Sequence, residues 1–258
     1  MKMKAVDINC DMGESFGRFK LGMDEEVIRL VSSANVGCGF HGGDPHVMRK
    51  TVLMAKAAGV GVGAHPGLPD LLGFGRRKMD VTPEELEDFF TYQIGALKGF
   101  CDSEGVSLQH VKAHGVLSGM AEADEGVATA ICRAISRVDK DILWLTYAGT
   151  RTKEIAESMG LTVAAECYAD RAYTSELTLV PRKEPGAVIT DLGEIWKRIA
   201  QIAFEGTVNT ADGEVREISC HSIAVHGDSP GALAMVREIR SALKENGVAV
   251  RPLKEIVG

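Results

Sequence analysis

The sequence predicts an α/β fold: a seven-stranded (β/α) barrel forming one domain over residues 1–258. Three observations carry this expectation. Short apolar runs alternate with longer amphipathic stretches, the pattern of parallel strands joined by right-handed helical crossovers. About seven such units fit a closed barrel better than an open sheet. Nearly every predicted strand also ends in ionisable residues, which is where a parallel barrel gathers its reactive groups.

The elements follow in order. A strand over Ala5–Cys10 precedes a helix over Asp24–Val31, and Ala34–Cys38 is the second strand. Asp44 is an N-cap with Pro45 at the first helical position; the helix runs to Ala58 and ends at Gly59. Val60–Ala64 is the third strand. The helix Thr82–Glu104 opens Thr-Pro-Glu-Glu, which places Glu85 for a capping box. Leu108–Lys112 is the fourth strand and Glu122–Val138 a helix. Ile142–Thr146 is the fifth strand, and the helix Thr150–Met159 closes at Gly160. Thr162–Glu166 is the sixth strand, Asp191–Phe204 a helix, and Ser222–His226 the seventh strand. Pro230–Asn246 is the last long helix, and Val248–Arg251 a short strand-like tail. Gly206–Cys220 suits a small extra strand pair. Two long glycine-containing connections, His65–Asp80 and Cys167–Thr190, follow strand ends, where such loops commonly cover active sites.

Composition narrows the function classes. Hydrophobic residues make up 45% of the chain, enough for a sizeable core and too many for disorder. The net charge of −7, without a basic stripe, argues against nucleic-acid binding. The six cysteines form no Cys-x-x-Cys pair, so a zinc ribbon or redox motif is not expected. They read as reduced thiols of a cytoplasmic protein. The N-terminal residues lack an apolar signal core, and no apolar run is long enough to span a bilayer.

The candidate chemistry sits at strand ends. Asp7, Asn9 and Asp11 are two apart and share a face, followed by Glu14. The later strands end in His41 and Asp44, His65, Lys112 and His114, Glu166 with Asp170 and Arg171, and His226 with Asp228. A polar run at period two inside a core is costly unless partners, water or substrate relieve it. Plainer readings stand beside these. Asp7 and Asn9 suit hydrogen-bonded structural roles. Asp44 is a helix cap first, and Asp228 before Ser229-Pro230 is a candidate helix-start residue. His46 and His110 read as surface or packing residues, and His221 precedes its strand. The glycine-rich Gly37–Asp44 segment lacks the Walker pattern, so it reads as a tight turn presenting His41. Asp11, His41 and His65, with His114 and His226, supply carboxylate and imidazole for a hydrolytic metal, although no fixed ligand spacing marks one.

Several long motifs resemble the LamB/YcsF family. They include Asp7-Ile8-Asn9-Cys10-Asp11-Met12-Gly13-Glu14-Ser15-Phe16-Gly17 and Cys38-Gly39-Phe40-His41-Gly42-Gly43-Asp44-Pro45. Gly63-Ala64-His65-Pro66-Gly67, His110-Val111-Lys112-Ala113-His114-Gly115, Ala169-Asp170-Arg171-Ala172-Tyr173 and Val225-His226-Gly227-Asp228 continue the match, which runs from about Asp7 to Arg251. The sequence departs from the family pattern at Ala113, where proline is usual, at Leu117-Ser118-Gly119, and at Leu177, where glycine is expected. None of these removes an ionisable candidate.

The resemblance implies a barrel of the glycoside hydrolase/deacetylase type, a variant of the TIM barrel. It also implies one component of a three-part 5-oxoprolinase, which opens the lactam of 5-oxoproline to glutamate with ATP hydrolysis. ATP, with Mg²⁺, acts through the assembled complex, and the partners are the B and C subunits. On that reading Lys112 and Arg171 hold the substrate carboxylate or phosphate, with His41, Glu166, His226 and Asp228 in the substrate-binding set. Asp11 or Glu14 acts as general base, His65 and His114 move protons, and Asp7 and Asn9 orient these groups. A stand-alone metal-dependent amide hydrolase or deacetylase, and a non-catalytic component that only binds substrate, are the competing readings. Self-association into a homo-oligomer is compatible with the sequence.

Overall fold

The computed structural model describes residues 3–148, 150–225 and 232–257. Seven parallel strands close on themselves: β1 (Ala5–Met12), β2 (Ser33–Gly37), β3 (Gly61–His65), β4 (Leu108–Val111), β5 (Leu143–Tyr147), β6 (Val163–Tyr168) and β9 (Ser222–Val225). Closure comes from β9, which pairs with β1 through Ser222 to Val225 and with β6 through Ser222 to Ala224. The short β10 (Ala249–Val250) lies parallel to the first two residues of β1. The hairpin β7 (Thr207–Asn209) and β8 (Val215–Glu217) stands apart from the barrel, as the sequence suggested.

Helices α2 (Pro45–Ala58), α3 (Pro83–Glu104), α5 (Glu125–Val138), α6 (Arg151–Ser158), α7 (Leu192–Ala200) and α8 (Ala232–Glu245) make the long crossovers, with short α1 (Asp24–Val27), α4 (Val116–Ala123) and α9 (Lys254–Val257). The punctuation read from sequence is in place. The Asp44 carboxylate accepts from the His46 and Val47 amides, and Gly59 ends α2 at φ +67°. Thr82 and Glu85 form a reciprocal capping box at α3, which satisfies two orphan N–H groups. Three helices differ by more than two residues. The first helix stops at Val27. The helix expected from Glu122 instead starts at Val116 and breaks at Asp124, whose extended backbone lets its carboxylate cap α5 through Gly126 and Val127. The helix expected to run to Phe204 loosens into a π-turn, Gln201–Glu205, before Gly206 turns left-handed.

The barrel inverts the usual inside and outside. Every residue of β1 from Val6 to Cys10 is buried, yet their chemistry alternates. Val6, Ile8, Cys10 and Met12 join the large apolar core beneath the helices. Asp7, Asn9 and Asp11 point the other way, into the barrel, where they bond polar groups from other strands. A separate small cluster of Leu143, Leu145, Ala164 and Leu253 fills the opposite end of the interior. A cleft lies at the C-terminal ends of the strands, where Asp11, His65 and Lys112 line it. Glycine makes room for the polar side chains inside: a Cβ on Gly63 would stand 2.1 Å from His110 Nε2. All six cysteines are buried and free of disulfides. Among the described residues no helix is long and apolar enough to cross a membrane.

Candidate active site at the barrel mouth

The site begins with a deep polar ladder. The Asp7 carboxylate accepts from Ser32 Oγ at 2.6 Å and Ser33 Oγ at 2.8 Å, and also from Ser222 Oγ. Asn9, one step higher, donates from Nδ2 to Glu166 Oε1 (2.8 Å) and Ser222 Oγ (2.7 Å). Its Oδ1 accepts from Asn35 Nδ2 at 2.7 Å and Lys112 Nζ at 3.1 Å. Asn35 also donates to Asp11 Oδ1 at 2.8 Å, and its Oδ1 bonds His110 Nε2 at 2.6 Å. These residues come from β1, β2, β4, β6 and β9, so the network knits the barrel across its interior.

Asp7 shows what this depth does to a carboxylate. Burial outweighs the three hydroxyl donors and pushes its pKa from 3.8 up to about 6. The folded protein therefore holds this proton more tightly than the unfolded chain. The stability it contributes is fully present below pH 3.8 and is lost as pH rises through about 6. We expect the native protein to lose roughly 2 kcal/mol relative to Asp7→Asn between pH 4 and pH 7. Urea unfolding of both proteins at each pH measures this, and parallel pH profiles would rule it out.

Above the ladder lies the reactive layer. Lys112 Nζ pairs with Glu166 Oε1 at 2.9 Å and Asp11 Oδ1 at 3.3 Å. Burial pulls the Lys112 ammonium down, but Asp11 and Glu166 together outweigh it and hold the group above the usual lysine range. His65 Nε2 lies 3.4 Å from Asp11 Oδ2 and 3.0 Å from His114 Nδ1. His41 stacks flat on His114 with ring centroids 3.5 Å apart, and its Nε2 bonds Glu14 Oε1 at 2.8 Å. Burial, reinforced by neighbouring imidazoles, lowers His114 to about 3 and takes His41 well below its ordinary value. His110 falls to about 3, through burial and then Lys112. Buried neutral imidazoles are the consequence.

The two long connections roof this layer. Phe74 takes φ +54°, and its carbonyl lies 2.8 Å from His114 Nε2. Asp70 is held to about 2 by Arg77, which pins the turn before it. In the second connection Arg171 donates to the carbonyls of Ala187 (3.1 Å) and Val180 (2.6 Å). Leu177 there adopts φ +61°, a backbone that favours the glycine expected at this place. Between the loops is a cleft of about 870 Å³. Asp11, His65, Lys112, His114, Tyr147, Tyr168 and Arg171 line its base, with Arg76, Arg77, Lys78, Arg182 and Lys183 toward its walls. Such a concave, cation-rich space suits a small anionic ligand.

The structure thus brings together Asp11, Glu14, His41, His65, Lys112, His114 and Glu166, joined below by Asp7 and Asn9. Asp7 is sealed beneath the mouth rather than facing the cleft. Arg171 lines the cleft while anchoring its loop. His226 and Asp228 lie outside the described residues. His221 accepts from the Ala165 amide, away from the cleft. His110 is a packing residue and also a member of the polar network, a part sequence reasoning missed. It shares the period-two face of Lys112 and His114, which was the available signal. Tyr147, Tyr168, Asn35 and the Phe74 carbonyl were missed as well; no motif spacing marks them.

These features define a closed parallel (β/α) barrel protein with a polar, His- and carboxylate-lined mouth. The LamB/YcsF family model matches residues 6–258, and the chain belongs to that family. It is 53% identical to a Pyrococcus abyssi protein described as the A component of 5-oxoprolinase, over 98% of this chain and 99% of that one. A Natranaerobius thermophilus protein of the same description is 49% identical, over 97% and 98%. Among solved structures, the lactam utilization protein of Thermus thermophilus superposes with a TM-score of 0.91 at 44% identity, covering 96% of this chain and 99% of that one.

Proposed function

We propose that this chain is the lactam-opening component of an ATP-dependent 5-oxoprolinase, acting with B and C subunits on 5-oxoproline to give glutamate. The description shared by its relatives supports the assembly. The observation that carries the chemistry is the Asp11 carboxylate beside the Lys112 ammonium at the base of a cationic cleft. A five-membered lactam is a poor electrophile, so ATP, with Mg²⁺, is used in the assembly to phosphorylate the lactam oxygen. Water then adds to the lactam carbon while Asp11 takes its proton. Collapse of the adduct breaks the C–N bond, and Asp11 returns the proton it took from water to the leaving nitrogen. The remaining acyl phosphate is hydrolysed to glutamate and inorganic phosphate.

Each residue has a part in this. Asp11 is the base rather than Glu14, because Asp11 lines the cleft and Glu14 is turned to His41. Lys112 and the unspent N–H groups of Arg171 hold the substrate carboxylate or phosphate. The His65–His114 pair lies beside Asp11 at the base of the cleft, with His65 Nε2 3.4 Å from Asp11 Oδ2. Asn9 and Glu166 fix Lys112 from below.

The test is glutamate release from 5-oxoproline by the purified chain, with and without ATP, Mg²⁺ and the two partner subunits. Release only in the full mixture is expected. Release by the chain alone would instead make it a stand-alone amide hydrolase, and silence from a competent assembly would point to another substrate.

A further inference from the structure

Two imidazoles at the mouth are locked with their lone pairs face to face. His65 Nδ1 lies 2.8 Å from the backbone carbonyl of Lys112, which can only accept, so this nitrogen carries the proton. His114 Nε2 lies 2.8 Å from the carbonyl of Phe74 and is protonated for the same reason. In neutral rings the remaining nitrogens, His65 Nε2 and His114 Nδ1, are both bare, and they stand 3.0 Å apart. Glu14 Oε1 lies 3.6 Å from His114 Nδ1, and Asp11 Oδ2 lies 3.4 Å from His65 Nε2. The two lone pairs and the Glu14 carboxylate thus converge, with Asp11 beside them, and a cation there turns their repulsion into binding.

Three features favour a metal ion over a shared proton. Ligand-capable atoms of Glu14, His65 and His114 all lie within 4.8 Å of one another, more than one proton would gather. Metal–nitrogen bonds of about 2.0–2.1 Å in a tetrahedral site put ligand atoms roughly 3.4 Å apart, close to the spacings found. Each imidazole also donates its other N–H to a fixed carbonyl, the outer support that metal-ligating histidines characteristically have. The charge balance agrees, since four carboxylates (Asp7, Asp11, Glu14 and Glu166) reach this interior and Lys112 pairs with two of them.

We infer that His65 Nε2, His114 Nδ1 and Glu14 Oε1 form a three-ligand site for a divalent transition ion, with a further position open toward the cleft. His41 is the positioning residue. Its Nε2–H donates to Glu14 and its ring covers His114, while its buried Nδ1 has no partner and serves only as an unused acceptor. Two imidazoles and one carboxylate suit Zn²⁺ or Co²⁺ better than Mg²⁺, which prefers oxygen ligands and water. The ion would lie beside Asp11, where it would add polarisation of an oxygen to the proton acceptance proposed above. The site stands on its geometry and does not depend on the lactam reading.

The test uses the full chain, stripped with a chelator, dialysed against Zn²⁺ or Co²⁺ and desalted. Elemental analysis should find about one ion per chain, and Co²⁺ should give the visible absorption of a four- or five-coordinate site. His65→Ala and Glu14→Gln should weaken Zn²⁺ binding by about 100-fold, and His41→Ala by about 10-fold. His46→Ala, on the exposed first turn of α2, should still bind one ion. Failure of the native chain to retain an ion, as with a shared proton only, overturns the proposal even if a variant misfolds. So does full retention by His65→Ala. No lactam is present, so a negative result here leaves the proposed activity to be judged by glutamate release.

Discussion

Asp11→Asn is expected to lower glutamate release by the reconstituted assembly by about 10²- to 10⁴-fold, the usual contribution of a positioned general base. The substitution keeps the side chain's size, and its carbonyl oxygen can still accept from Asn35 Nδ2, now 2.8 Å from Asp11 Oδ1. Lys112 keeps Glu166 as a partner at 2.9 Å, so the ladder below remains intact. What is lost is the acceptor of water's proton. The fold, followed by circular dichroism and urea unfolding, should change little. Turnover near the native level in a folded Asp11→Asn protein would remove Asp11 from the chemistry and make Glu14 the next candidate.

Lys112→Met should damage folding as well as function. The ammonium is buried and pairs with Glu166, itself almost wholly buried, and with Asp11. Methionine fills much of the same volume but leaves the Glu166 carboxylate with neutral donors alone, Asn9 and the Tyr168 side chain. Removing one partner of a buried pair strands the other charge, at a cost of about 3–5 kcal/mol. Denaturant unfolding should show that loss. Adding Glu166→Gln should recover part of it, because the stranded charge is then removed as well. A single variant as stable as the native chain would mean that water reaches Glu166.

How far the sequence foretells this site depends on depth. The barrel was legible because β1 writes its alternation plainly: Val6, Ile8, Cys10 and Met12 face the helices, and Asp7, Asn9 and Asp11 face inward. The caps at Asp44 and Thr82 were legible because their chemistry is local. Alternation alone does not separate Asp7 from Asp11, which share a face. Only closure of the barrel brings Ser222 of β9 beside Ser32 and Ser33, sealing Asp7 and leaving Asp11 at the mouth. The pairing of His65 with His114 depends in the same way on the Phe74 carbonyl, placed by a loop whose course no short motif encodes. Arg171 shows the converse. Its charge was plain, but its bonds to Val180 and Ala187, which hold the second loop, were not.

The most direct test of the central claim, that the lactam opens in this barrel, is a crystal structure of the chain soaked with 5-oxoproline. The account predicts the ring in the cleft, its carboxylate within about 3 Å of Lys112 or Arg171 and its lactam carbon facing Asp11. A ring bound with full occupancy elsewhere, and an empty mouth, would contradict it.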